Sequence, residues 1–329
     1  MARPIVIVLA VLIVAASFAL RVNNLGLPNL TGDEWFMLRN HDQGLAWILH
    51  QAHVFEPHPL IYYVGLAGWI EVAGRSEFAM RFPSVIAGVV LTVTSIGLGR
   101  ALIGDRAGLL VGAIVALNPY QIAESRNARN YAMVTAASAI ASLLFLRALS
   151  RGRRSDWAFY GLAMIVALNI HYDAALVLAV HVAFVVVAWL GKGLAGVFDF
   201  GSQPIVVKRR FPTWWLQTTA VIVVVFAIWL AYAWPALVAY NGYFPTPVGL
   251  DRVLGRSLAT FSLGAVAAIR DAIPAFALAV IGLAWLFLAR RSSALFLGLY
   301  TLLPILAVGI LFLARPMFDE RYLIVLAPG

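Results

Sequence analysis

Long apolar stretches alternate with short polar loops over almost the whole chain. An apolar helix of about 20 residues crosses the hydrocarbon core of a bilayer, and stretches approaching this length recur. They predict membrane spans at Ile5–Leu20, Val85–Leu102, Ala107–Ala123, Ala132–Leu149, Trp157–Asn169, Ala174–Leu190, Leu216–Leu237, Ala272–Ala289 and Ser293–Ala314. Because only helices and closed barrels satisfy their backbone groups in lipid, the pattern predicts an all-α, polytopic transmembrane helical bundle.

A further apolar stretch starts near Tyr322 and is cut off at Gly329. A chain that ends inside an apolar span cannot close its bundle. We therefore expect residues 1–329 to form a single transmembrane domain, truncated at its C-terminus, of a longer protein.

Two segments of the first outer loop, residues 21–84, predict helices that lie at the membrane surface instead of crossing it. Leu60–Ala73 is apolar on all sides, but as a helix it spans only roughly 21 Å. It also contains Glu71, so we interpret it as an interfacial helix. Trp35–His50 is rich in tryptophan, leucine and isoleucine and predicts a second surface helix.

The distribution of charge supports this topology. The chain is 62% hydrophobic and 12% charged, with a formal net charge of +9. If Leu60–Ala73 does not cross, one side receives 13 of the 24 Lys and Arg residues but only 3 of the 15 acidic ones. Such an excess in short loops marks the cytoplasm, so the N-terminus is predicted to be cytoplasmic. The net charge is then an orientation signal, and nucleic acid is not a predicted partner.

The first span has a second interpretation. Ser17-Phe18-Ala19 consists of residues small enough for processing, so Ile5–Leu20 could be a cleaved signal sequence. Cleavage would not change which loops face outwards.

With this orientation, polar patches from distant parts of the sequence gather on the outer face. They occupy residues 33–34, 56–63, 75–84, 124–131, 171–173 and 319–322. A transporter more often buries its ionisable groups at mid-bilayer, whereas these groups lie at span ends and favour an outward-facing interfacial site. The lack of cysteine excludes disulfides, thiolate metal sites and cysteine nucleophiles.

Asp33 and Glu34 have a structural and a chemical interpretation. Thr31 and Glu34 fit a capping box, with Thr31 as N-cap and Glu34 three positions later. That role leaves Asp33 in the first helical turn, where the helix dipole stabilises an ionised carboxylate. An ionised carboxylate held beside the membrane is what a general base for a hydroxyl requires.

The basic and aromatic patches also have both a structural and a chemical interpretation. Arginines at span ends often only snorkel, tyrosines belong to the aromatic belt, and a lone histidine such as His58 is more often structural. Several arginines and tyrosines on one face also form a phosphate-binding surface for a lipid head group. His171-Tyr172-Asp173 is harder to explain structurally, because a short turn needs no histidine. Asn118-Pro119 predicts a kink in the third span.

The order of these motifs resembles that of the GT-C glycosyltransferases, and more narrowly the bacterial relatives of protein O-mannosyltransferases and of the lipid A aminoarabinose transferase. From about Leu20 onwards the motifs are DE, EPHPLIYY, EFAMRFPS, NPYQIAESRNARNYA, HY and ERY. Each is weak alone, but their order and loop placement are fairly specific. The resemblance implies a GT-C type bundle with interfacial helices in the first outer loop. It also implies a bacterial inner (cytoplasmic) membrane location and an extracytoplasmic active site.

Residue by residue, the resemblance implies that Asp33 is the catalytic acidic residue and Glu34 its partner. It implies donor-phosphate binding by His58, Arg126, Arg129, Tyr131, His171, Tyr172, Arg321 and Tyr322. Leu60 replaces the second proline of the family's His-Pro-Pro-Leu segment. Some relatives carry an aspartate in the second outer loop, where this chain has only Glu124. A divalent metal held by Asp33 and Glu124 stays open as an alternative, without the support of a second loop aspartate.

The implied activity is inverting transfer of a sugar from a polyprenyl-phosphate-linked donor to a hydroxyl of a glycan, lipid or protein acceptor. Asp33 would take the proton of the acceptor, and cationic side chains would stabilise the departing phosphate. Two other classes remain open. A lipid or solute transporter or flippase should show matching mid-span breaks in two repeated halves, and the sequence shows no such repeat. A non-catalytic scaffold needs none of the clustered histidines, arginines and carboxylates.

Overall fold

The computed structural model describes residues 3–54, 58–192, 197–200, 203–206, 211–239, 250–264, 266–314 and 320–326, in a few places by their backbone alone. The helices of the first half of the chain are α1 (Arg3–Val22), α2 (Gly32–Gln43), α3 (Leu45–Val54), α4 (Leu60–Ala73), α5 (Glu77–Leu102), α6 (Asp105–Leu117), α7 (Pro119–Glu124), α8 (Tyr131–Arg151) and α9 (Arg154–Ile170). The later ones are α10 (Ala174–Lys192), α11 (Phe211–Ala239), α12 (Leu250–Leu263), α13 (Ile273–Ala289) and α14 (Arg291–Ala314).

Four shorter elements complete the described chain. Two 3₁₀ helices cover Ile269–Ala272 and Glu320–Leu326. Strands β1 (Val197–Phe200) and β2 (Gln203–Val206) form a small antiparallel hairpin. The helical bundle predicted from the apolar pattern is confirmed.

Within the described ranges, six helices are long and apolar enough to cross a membrane, namely α1, α5, α8, α11, α13 and α14. The chain is therefore a multi-pass membrane protein. Helix α13 reaches this length together with the 3₁₀ helix before it, over Ile269–Ala289. The other predicted spans are also helical but shorter, with 13 residues in α6, 17 in α9 and the apolar helix Ala174–Leu190 in α10. Leu60–Ala73 forms α4 with the predicted bounds, and its position at the interface stays a prediction.

The core lies where α5 and α8 meet. Helix α5 packs against α1, α6 and α8, and α8 packs in turn against α9. Leu91, Val134, Phe145 and Tyr160 are fully buried there. Around this centre α2, α3 and α4 pack against one another, α4 also contacts α5 and α9, and α3 contacts α11.

The single surface helix predicted over Trp35–His50 is wrong, because the segment forms two helices that meet at Gly44. Gly44 has a φ of +81°, a conformation that residues with a Cβ rarely adopt. Its N–H donates to the carbonyl of His41 (3.0 Å) and ends α2. The break allows α3 to pack against α11.

Asn118-Pro119 does more than kink the predicted span Ala107–Ala123: it ends α6 and starts α7. The side-chain oxygen of Asn118 accepts the N–H of Gln121 (2.9 Å) as an N-cap, and Pro119 occupies the first helical position, where proline is favoured. The side-chain amide of Asn118 donates to the carbonyl of Phe261 (2.7 Å). This bond ties α12 to the break.

The break leaves the last carbonyls of α6 without helical donors, and the buried guanidinium of Arg21 supplies them. Pro119 has no N–H to offer the carbonyl of Val115. Arg21, on α1, donates to the carbonyls of Val115 (3.1 Å) and Ala116 (3.0 Å) and to the hydroxyl of Ser125 (3.3 Å). A positive charge is also favourable at a helix C-terminus. These bonds explain how a fully buried arginine is accommodated.

Two segments form elements that the sequence analysis did not predict. Residues 250–263, which lie between the predicted spans Leu216–Leu237 and Ala272–Ala289, form α12, which packs against α7 and both 3₁₀ helices. The predicted start of a further span near Tyr322 lies in the 3₁₀ helix Glu320–Leu326, in which Leu323 and Ile324 are fully buried. Residues 320–326 are therefore a packed 3₁₀ helix, and a span that continues from them stays a prediction.

We expect Gly88→Ala to destabilise the protein. Gly88, in α5, lies so close to Ser125 and Arg21 that an added Cβ would be 2.5 Å from the Nε of Arg21. Overpacking of this kind costs typically ~1–3 kcal/mol, which should lower the midpoint of thermal unfolding in detergent. Gly282→Ala in α13 is the matched control, because no atom lies within 4 Å of its added Cβ. Equal midpoints for the two variants would contradict the packing described.

Candidate functional site

Glu34 and Arg81 form a buried ion pair at the base of the site. Arg81 donates from Nε to Oε1 of Glu34 (2.7 Å) and from Nη2 to Oε2 (2.8 Å), a bidentate arrangement. The remaining guanidinium hydrogens are donated to the carbonyls of Leu25, Pro28 and Asn29. Glu34 is 0% and Arg81 3% exposed. The pair therefore ties α2 and the segment before it to the start of α5.

Glu34 also joins two backbone segments. Its Oε2 accepts the N–H of Thr31 (2.9 Å), which completes the predicted capping box, and its Oε1 accepts the N–H of Ala128 (2.9 Å). Burial alone would raise the pKa of Glu34, but Arg81 and these two N–H groups outweigh burial and lower it. The capping-box interpretation is confirmed. All four hydrogen bonds fall on two oxygens, so this carboxylate is held in place.

Asp33 has a different environment, although it is the preceding residue. Its side chain is 51% exposed, and its Oδ2 lies 3.7 Å from the Nε of Arg129 and 3.4 Å from Nη1 of Arg321. Arg129 lies in the loop before α8, and Arg321 lies in the 3₁₀ helix Glu320–Leu326. The structure thus brings together three predicted site residues from three distant segments.

The ring of Tyr131, which is 4% exposed, holds the two arginines side by side. The Cζ atoms of Arg129 and Arg321 lie 5.7 Å and 5.2 Å from its centroid, within cation–π range. Burial lowers the pKa of Arg129, but Tyr131, Asp33 and Tyr63 outweigh burial and raise it. The guanidinium is therefore charged under all ordinary conditions.

Two histidines lie next to this centre. The rings of His58 and His171 are 5.2 Å apart, and His171 is 5.5 Å from the ring of Tyr131. Nδ1 of His171 lies 3.1 Å from Oδ2 of Asp173, and its buried Nε2 has no hydrogen-bond partner among the described residues. Burial lowers the pKa of His58 well below its usual value, and His171 and Arg129 lower it further. His58 is therefore a neutral imidazole at neutral pH.

The remaining predicted residues lie at the margin of this cluster. The hydroxyl of Tyr172 accepts the indole N–H of Trp229 (2.9 Å), which attaches the turn before α10 to α11. Arg126 donates to two carbonyls, those of residues 20 and 24, at 3.4 Å. Its contacts are thus with the end of α1. The side chain of Tyr322 lies outside the described residues.

The charges of the cluster suit an anion. Two guanidinium groups face one carboxylate oxygen, and Glu124, the other candidate metal ligand, is a buried residue of α7. Over the described part of the chain, no group of three His, Asp or Glu side chains lies close enough to hold a metal ion. Phosphate oxygens are the ligands that paired arginines bind best.

Three residues that shape the site were not assigned to it from the sequence. Arg81 fixes Glu34, Asp173 lies against His171, and Arg21 holds the start of the 125–130 loop through Ser125. The signal for both arginines was present, because a charge inside a largely apolar segment requires a partner. The sequence does not say which partner.

We expect Glu34→Gln to be strongly destabilising. The variant leaves Arg81 buried without its counter-charge, and breaking a buried pair in this way costs about 3–5 kcal/mol. Glu71→Gln is the matched control, because Glu71 is 73% exposed and substitutions at exposed sites change stability by roughly 0.5 kcal/mol or less. Thermal unfolding in detergent measures both, and comparable losses would refute the structural role of Glu34.

The neutral His58 predicts a loss of stability in acid. Its pKa in the folded protein lies below the value near 6.5 of an unfolded chain. Below that pH the unfolded state binds the proton first, so stability falls as pH falls, by up to ~1.4 kcal/mol per pH unit. His58→Gln should make the midpoint of thermal unfolding depend less on pH between pH 7 and pH 5, whereas a substitution at the exposed His50 should leave this dependence unchanged. A slope that His58→Gln leaves unchanged would sink this assignment.

The fold is similar to that of ArnT from Cupriavidus metallidurans. In the apo state that structure gives a TM-score of 0.66 at 15% identity, and the alignment covers 97% of this chain and 57% of ArnT. The structure of the same protein bound to undecaprenyl phosphate gives 0.65 at 16% identity with the same coverage. The apo oligosaccharyltransferase of Archaeoglobus fulgidus gives 0.64 at 13% identity, covering 99% of this chain and 50% of that one.

The chain thus spans little more than half the length of the structures it resembles, and at these identities the likeness concerns the fold. A search of curated proteins gave no match. The family model described as dolichyl-phosphate-mannose-protein mannosyltransferase matches residues 57–232, more than half of the chain. That range includes His58, Arg129 and His171 but not Asp33. The resemblance to GT-C glycosyltransferases inferred from the motifs is confirmed, and the chain belongs to the dolichyl-phosphate-mannose-protein mannosyltransferase family.

Proposed function

We propose that this protein transfers a sugar from a polyprenyl-phosphate-linked donor to a hydroxyl acceptor, with inversion, at the extracytoplasmic face of a bacterial inner membrane. The observation that carries the proposal is the meeting of Asp33 with Arg129 and Arg321 around Tyr131. A carboxylate beside two guanidinium groups provides a base and an anion site within one side-chain length. The family, described by a dolichyl-phosphate sugar donor, supports the same donor chemistry.

The donor phosphate binds between Arg129 and Arg321. Their charged planes offer several N–H groups to the phosphate oxygens, and Tyr131 keeps the two planes in place. His171 adds a donor when its Nδ1 accepts the backbone N–H of Asp173 (3.2 Å), because the ring proton then resides on the unpartnered Nε2. The complex of ArnT with undecaprenyl phosphate supports a site of this class in the fold.

Asp33 acts as the general base. It takes the proton of the acceptor hydroxyl while the hydroxyl oxygen forms a bond to the anomeric carbon. The bond from that carbon to the phosphate oxygen breaks, and its electron pair leaves with the polyprenyl phosphate. Arg129 and Arg321 stabilise the charge that develops on the leaving group. One displacement from the face opposite the phosphate inverts the anomeric configuration.

His58 contributes to the donor site as a neutral group. Since its imidazole is neutral, it contributes hydrogen bonding and shape beside His171, and the positive charge comes from the arginines. Glu34 and Arg81 hold the chain on either side of Asp33 and Arg129 without touching the reacting atoms.

The acceptor belongs to one of three classes, a glycan, a lipid or a protein, each of which supplies a hydroxyl at the membrane surface. A transporter or flippase is not favoured, because the chain belongs to a glycosyltransferase family. The paired arginines would suit a transported lipid phosphate as well, but a transporter needs no carboxylate between them.

We expect Asp33→Asn to abolish transfer while leaving the fold intact. General-base catalysis contributes typically ~10²–10⁴-fold, and the half-exposed Asp33 supports little of the packing. Membranes are supplied with radiolabelled polyprenyl-phosphate sugars, and label that moves to acceptor is counted. Asp42→Asn is the matched control, since Asp42 lies at the other end of α2, paired with Arg75 at 2.8 Å. Full transfer by a folded Asp33→Asn variant would remove Asp33 from the chemistry and the proposal with it.

A further inference from the structure

The two neighbouring acids of the site are held in very different ways. Glu34 meets Arg81 at 2.7 Å and 2.8 Å with no exposure. Asp33 meets its arginines at 3.4 Å and 3.7 Å, beyond the usual 2.7–2.9 Å range of charge-assisted hydrogen bonds, and is half exposed. The Glu34 pair is permanent on this geometry, whereas the Asp33 contacts are loose and open to exchange with another anion.

The loose contacts use the same groups that the donor phosphate needs. A single oxygen, Oδ2 of Asp33, faces the Nε of Arg129 and Nη1 of Arg321. Both guanidinium groups rest on Tyr131, so they stay together whichever anion lies between them. A phosphate in that position would displace the carboxylate, because two anions cannot share one pair of donors without strong repulsion.

We propose that Asp33 is the resident anion of the donor-phosphate site and that the donor must displace it before the base is free. This inference rests on the proposed function. In the empty site the carboxylate keeps Arg129 and Arg321 together and is itself engaged. When a phosphate takes the arginines, Asp33 is released at the edge of the site and can accept the acceptor's proton. Donor binding and release of the base are one event.

The exchange imposes an order on the reaction. An acceptor that arrives first meets a carboxylate already engaged by two arginines, so it is not deprotonated. The donor binds first and the acceptor reacts second. The half-exposed Asp33 then gives the acceptor's proton to solvent, and the product polyprenyl phosphate leaves when the carboxylate returns to the arginines. The returning carboxylate competes with the product for the two guanidinium groups, which favours product release.

Asp33→Asn should therefore bind phosphate more tightly although it cannot transfer sugar. The neutral amide no longer competes as an anion, and removing ion pairs of this exposed kind should change affinity by on the order of fivefold. The probes are undecaprenyl monophosphate in detergent micelles and, separately, inorganic phosphate, each titrated into the purified protein at low and high salt. A higher affinity of the variant for both probes assigns the effect to the phosphate group. A higher affinity for the lipid alone shows that the polyprenyl tail is needed to bring the phosphate to the two arginines.

The control and the double variant make the test specific. Asp42→Asn removes the same charge from α2 at a distance from the arginines and should leave both affinities unchanged. Arg321→Gln alone should weaken phosphate binding. In the double variant with Arg321→Gln, Asp33→Asn should raise the affinity for phosphate by a smaller factor, because the two residues act through one contact. Equal or weaker binding by Asp33→Asn than by the unmodified protein overturns the exchange. That result leaves the proposed function standing, which only the transfer assay of the same variant can remove.

Discussion

The site depends on one buried ion pair, Glu34 with Arg81. Two charges are removed from water, which is unfavourable unless every lone pair and proton finds a partner. Here they do: the carboxylate accepts two N–H groups from the guanidinium and two from the backbone, and the remaining guanidinium hydrogens go to carbonyls. The bond to Ala128 has a functional consequence. Ala128 precedes Arg129, and Glu34 follows Asp33. The bond therefore brings the backbone of these two residues close together, and their side chains lie 3.7 Å apart.

Two adjacent acids differ in how firmly they are held: Glu34 forms a rigid pair with Arg81, and Asp33 makes loose contacts with Arg129 and Arg321. Glu34 at the base has its lowered pKa and its full set of partners, and cannot exchange them without disturbing α2, α5 and the loop before α8. In the proposed exchange Asp33 needs the opposite, a contact weak enough to give up. The ring of Tyr131 makes that weakness tolerable, because the two arginines remain together on its face when the carboxylate leaves.

Much of this could be read from the sequence, for identifiable reasons. The capping box is a local pattern, and Leu60–Ala73 is bounded by proline and glycine, so both were predicted correctly. The meeting of Asp33 with Arg129 and Arg321 followed from the side of the membrane on which each loop falls. The partner of Arg81 could not be predicted, since it depends on which helices pack together. The break at Asn118 was mistaken for a kink because the compensating donor, Arg21, lies about 95 residues away, and helix α12 carries no long apolar run to reveal it.

The errors and the successes share a physical origin. A membrane restricts which segments can cross and which loops share a face, so charge and hydropathy decide the neighbourhood of every polar group. They do not decide which polar groups pair within that neighbourhood, because pairing depends on differences in distance of a few tenths of an ångström. The difference between 2.7 Å at Glu34 and 3.4 Å at Asp33 separates a tightly held carboxylate from a loosely held one. Both are acids at the start of the same helix, and only their partners, supplied by α5, the 125–130 loop and the 3₁₀ helix at residues 320–326, tell them apart.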